Sequence, residues 1–170
     1  MTALWHWLDF WARRLIPAGL GIVFVLAMVV PVPVAGYSTI VPMLALASVF
    51  FWAIHHPRLL PPALVFAIGL LQDILTGALV GSGAVVLLLA YWIVVDQRIL
   101  FYNKSFLMVW WGFLVVAMGA GCLNWALASA FGGQLLPYSA AVFQVLATVA
   151  LYPLLTWILH GVHRLLPAER

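Results

Sequence analysis

Asp73 is the residue best placed to do chemistry, because it is the one acidic residue set well inside an apolar segment, L-V-F-A-I-G-L-L-Q-D-I-L-T-G-A-L-V-G. An ionised carboxylate at membrane depth costs at least ~2.5 kcal/mol, so Asp73 must face protein or a wet cavity and hold a partner. Two amides, Asn124 and Gln144, also lie within apolar segments. Counting ~1.5 Å per residue along the helices that must carry them brings all three to a similar level, and predicts a polar cluster of Asp73, Asn124 and Gln144. Such a cluster would bind a small molecule or pass a proton. It serves equally as a set of interhelical hydrogen bonds worth ~0.6 kcal/mol each. One carboxylate with two amides is poor equipment for a proton relay.

The other reactive side chains read in the same direction. His55 and His56 are adjacent and point to different helix faces, and His160 and His163 have an i, i+3 spacing that could share a metal. No acid or cysteine ligand accompanies either pair, and interface anchoring accounts for all four. The G-S-G at Gly81 to Gly83 is similar to the serine motif of intramembrane rhomboid proteases, but His160 is at the wrong end to pair with it, which leaves a flexible turn. There is no glycine-rich phosphate loop, metal box or pair of carboxylates. The expectation is therefore a protein that is not an enzyme and has no cofactor and no metal.

The elements that position these residues follow from composition. Of 170 residues 67% are hydrophobic and only 6% charged, which is the composition of an all-α integral membrane protein. Spans of roughly 20 residues leave room for about six helices and no soluble domain. The expected spans of this single domain are Leu15–Val34, Ser38–His55, Leu59–Thr76, Leu79–Val95, Phe106–Phe131 and Tyr138–Gly161, after a Trp-rich lead-in over Met1–Arg14. Pro31 and Pro33 close the first span, while Pro42, Pro61 and Pro62 suit first turns, where a missing amide is harmless. Asp96 to Ser105 reads as the longest polar loop, and Pro153 falls inside the sixth span.

Charge placement tests the six-span reading. Arg13, Arg14, Arg58, Arg98, Lys104, Arg164 and Arg170 all fall on one side, and the opposite loops, 35–37, 77–82 and 132–137, contain no Lys or Arg. The positive-inside rule then makes both termini cytoplasmic. The net charge of +3 thus reports loop topology and not nucleic acid. The lone Cys122 says nothing of redox compartment.

Pro57, Pro61, Gly69, Asp73, Gly77 and Gly81 are spaced at multiples of four, so Gly69, Asp73 and Gly77 stay near one helix ridge that can approach other backbones closely. With Leu70, these positions resemble the signature of the rod shape-determining MreD family: a proline shortly before a second proline, then G-L-x-x-D-x-x-x-G and a further glycine four residues on. Where the family often has P-L-G, this chain has Leu79, Val80 and Gly81, which keeps the glycine. The signature covers about one fifth of the chain, and size and hydropathy extend the likeness to nearly all of it.

The resemblance implies a non-catalytic scaffold of the bacterial inner membrane. Family members work with MreC, and through it with cytoskeletal MreB, RodA and a class B penicillin-binding protein, in lateral wall growth and rod shape. It also implies a six-helix transmembrane bundle similar to the substrate-binding subunits of energy-coupling factor transporters. That likeness supplies the alternative, a vitamin-binding subunit. For such a subunit the pocket candidates, Asp73, Asn124, Gln144, Tyr91 and Tyr138, are thin for recognising a polar vitamin. An Ala63, Ala67 ridge fits either reading.

Overall fold

The computed structural model describes residues 19–26, 42–57, 59–101, 104–132 and 138–163. The lead-in, the ends of the first span, Arg58, and the side chains of His160 and His163 lie outside the described residues. Those described are helical with no strand: α1 over 19–26, α2 Leu44–His55, α3 Pro62–Thr76, α4 Ser82–Phe101, α5 Phe106–Gly132 and α6 Tyr138–His163. α4, α5 and α6 are long and apolar enough to cross a membrane, whereas α2 and α3 are shorter apolar helices of 12 and 15 residues.

α2 is apolar all round, and a helix without a polar face must be covered on every side. Ala45 to Ile54 are indeed all buried, with α3, α4, α5 and α6 packed around them. Phe50 sits at the centre, edge-on to Phe101, Phe113 and Tyr152, and the last two rings stack on each other at 4.1 Å. α2 begins at Leu44, and the start expected at Ser38 lies outside the described residues. Its N-cap residue, Met43, has no capping side chain of its own, and its buried amide donates instead to Thr148 Oγ1 of α6 at 2.9 Å.

α3 starts where its prolines dictate: Pro61 is extended at the N-cap and Pro62 follows at the first helical position, where no amide is needed. α4 runs on through Asp96, Gln97 and Arg98 to Phe101, so the predicted polar loop is short. Those residues are not helix breakers. Phe101 at the end of the added turn packs on the core ring of Phe50. Pro153 leaves the carbonyl of Val149, four residues earlier, without its helical donor. The indole Nε1–H of Trp110 on α5 donates to that carbonyl at 3.3 Å, so a neighbouring helix repairs the gap that the proline opens.

Candidate functional site

The most ordered polar arrangement is the turn between α3 and α4. A helix opens with four amides that have no intrahelical acceptor. For α4 these are the amides of Gly81, Ser82, Gly83 and Ala84, and Asp73 accepts three of them. Gly81 donates to Oδ2 at 2.8 Å, Gly83 to Oδ1 and Oδ2 at 3.0 and 3.1 Å, and Ala84 to Oδ2 at 3.4 Å. Ser82 gives its amide to Leu79 O at 3.0 Å and its hydroxyl to the same oxygen at 2.8 Å. Asp73 is only 2% exposed. Its oxygens lie at the N-terminal, donor-rich end of α4, which provides the partners that a buried carboxyl group requires.

The same residue also ends α3. The amides of Gly77 and Ala78 both turn back to the carbonyl of Asp73, the latter at 3.1 Å, and Gly77 adopts the left-handed conformation at φ 67° that closes a helix. Asp73 therefore closes one helix with its backbone and opens the next with its side chain. Gly69, one turn earlier, faces Ala84 so closely that a Cβ there would strike the Ala84 backbone. Gly83 leaves the space in which Asp73 Oδ1 sits, since a Cβ on it would fall on that oxygen. Every glycine of the G-L-x-x-D-x-x-x-G stretch and its extension thus has a place in one hairpin. Pro57, at the other end, accepts a hydrogen bond from the Tyr91 hydroxyl at 3.4 Å.

Asn124 and Gln144 are half-buried on α5 and α6, a pair of helices that pack against each other. α3 packs on α2 and α4 and does not touch α5 or α6 among the described residues. The structure therefore does not bring Asp73 together with the two amides, and its carboxylate is taken by its own hairpin. Between α5 and α6 lies a cleft of about 390 Å³, lined by apolar side chains such as Leu114, Met118, Trp125, Val142 and Leu146. Tyr138 borders it, but Asn124 and Gln144 do not. The Ser82 hydroxyl is spent on its turn, His55 Nδ1 donates to Phe51 O at 2.9 Å with its ring stacked on Phe51, and Ala63 and Ala67 face outward. No group of metal-ligating side chains occurs among the described residues. Sequence reasoning missed the Gly83 and Ala84 amides as the partners of Asp73. The available signal was an acid eight to ten residues before a glycine-rich helix start.

These features define an apolar helical membrane protein whose best-placed acid serves its own backbone. The chain belongs to the MreD family: the family model for rod shape-determining protein MreD matches residues 9–162. It is a family of shape-determining proteins and not a known enzyme family, so the chain has a role in rod shape determination and is linked to the rod-shape complex. No curated protein and no solved structure matches the chain.

Proposed function

We propose that the protein is a non-catalytic scaffold of the cell-wall elongation complex, set in the bacterial inner membrane with six spans and both termini cytoplasmic. It binds MreC and, through it, links MreB, RodA and a class B penicillin-binding protein. The bundle offers a lipid-level apolar face to the transmembrane helix of MreC. The observation that carries this reading is the use made of Asp73. The acid that could have served a substrate or proton path is consumed in building the α3–α4 hairpin, which supports a role in presenting a rigid surface. The apolar lining of the α5–α6 cleft also favours a scaffold over a carrier of polar vitamins.

The test is a detergent pull-down of the tagged protein from its native membrane, with co-purified proteins identified by mass spectrometry. Recovery of MreC with the wall synthases is expected. Recovery of an ATPase pair with its transmembrane coupling subunit would replace the scaffold with a transporter subunit. In cells, Asp73→Ala is expected to lower the yield of the complex and round the cells. Wild-type shape and yield would remove Asp73 from the scaffold role.

A further inference from the structure

The end of the bundle opposite the Asp73 turn carries a pocket of about 310 Å³, formed where α2 stops, α4 stops and the α2–α3 connection passes between them. Ile54, His55, Pro57, Arg98 and Ile99 line it. We propose that this pocket holds the phosphate of an anionic phospholipid on Arg98, with the lipid's acyl chain against Ile99 and the outer surface of α4.

Four observations point to that ligand. Arg98 brings a planar fork of donors suited to phosphate oxygens, and among the described residues it has no carboxylate partner. Asp96, two residues earlier on α4, lies on a different helix face. Two backbone acceptors at this end are already engaged by other donors: Phe51 O accepts from His55 Nδ1 and Pro57 O accepts from the Tyr91 hydroxyl. Finally, Ile99 and Leu100 beside Arg98 are 79% and 57% exposed, so one turn of α4 shows a cation and bare apolar side chains together. That mixture fits the level where lipid tails meet headgroups, and basic pockets between helices at that level select anionic lipids by charge. A neutral zwitterion would gain less from Arg98, and a water-soluble anion would leave Ile99 uncovered.

The proposal rests on the membrane reading of the bundle and not on partner capture, so either can fail without the other. The experiment is a titration of the purified full chain in detergent with phosphatidylglycerol or with phosphatidylcholine of identical acyl chains, read by native mass spectrometry. Wild type should retain phosphatidylglycerol at lower concentration, and Arg98→Gln should weaken that retention about five-fold while leaving phosphatidylcholine unchanged. Arg98→Lys should restore part of the preference, because it keeps the charge and loses the fork. An unchanged melting temperature for both variants shows that the fold is intact. Equal retention of the two lipids by wild type would overturn the proposal, as would an unaltered preference in Arg98→Gln. So would displacement of phosphatidylglycerol by millimolar inorganic phosphate, which would assign the pocket to a soluble anion. Arg98-dependent binding of a polyglutamate peptide without any lipid preference would overturn it in favour of an acidic protein segment.

Discussion

Asp73 shows how a buried acid can be structural with no ion pair among the described residues. Its two oxygens replace the water that would otherwise solvate the first amides of α4. Asp73→Ala should lower stability in detergent by about 2–3 kcal/mol, since it removes the cap and strands buried amides. Asp73→Asn, which keeps one acceptor oxygen but turns an NH₂ toward donors, should lose roughly half as much. Thermal unfolding of the two variants checks the order, and equal losses would mean that the acceptor oxygen kept by asparagine contributes nothing. The glycines separate by cause. Gly69→Ala forces a methyl into the Ala84 backbone and should cost more than ~2 kcal/mol. Gly77→Ala meets open space and carries only the left-handed penalty of roughly 1 kcal/mol. The same melting assay is expected to rank Gly69→Ala as the more damaging.

At the scale of elements, the pairing of α3 with α4 and the repair of α6 by α5 have one physical origin. Where water is excluded, each backbone group that a turn or proline releases must find a protein partner. For α6 that partner is Trp110, which supplies the donor that Pro153 withholds from Val149. Trp110→Phe should therefore destabilise the protein by ~1 kcal/mol through the lost hydrogen bond, beyond any change in packing. In a Pro153→Ala background the regained helical amide satisfies Val149 and that portion should disappear. A double-mutant cycle on melting midpoints measures the difference, and a coupling energy of zero would show that the indole contact is incidental. α5, with 27 residues, is roughly 40 Å long against a hydrocarbon core of ~30 Å, so it tilts or projects from the bilayer. α3, at roughly 22 Å, falls short of it and is held through its packing on α4.

For the whole molecule, the segregation of basic residues predicts which side each connection faces. In a Cys122→Ala background, Gln134→Cys should react with a membrane-impermeant maleimide added to intact spheroplasts. Lys104→Cys should react only after permeabilisation. The reverse pattern would invert the bundle, and labelling of both from outside would break the six-span arrangement. The expected topology also sets the lipid pocket at Arg98 toward the cytoplasmic leaflet and the Asp73 hairpin toward the opposite one.

The sequence by itself determined the class of protein and most of its helices. An apolar content of 67%, the prolines at Pro61 and Pro62 and the spacing of Gly69, Asp73 and Gly77 express local rules of hydropathy, first-turn geometry and helical periodicity. It also required that Asp73 have a partner, because the cost of burying a charge does not depend on the fold. The identity of that partner was a tertiary matter. Depth along the chain put Asp73 level with Asn124 and Gln144, but depth is one coordinate, and position around the bundle depends on which helices touch. α3 turned to α4, where Gly69 and Ala84 allow close contact, so the carboxylate met amides of its own hairpin and not the side chains of α5 and α6. The donors that close the gaps at Met43 and Val149 came from helices far away in sequence, and only the packed structure could name them.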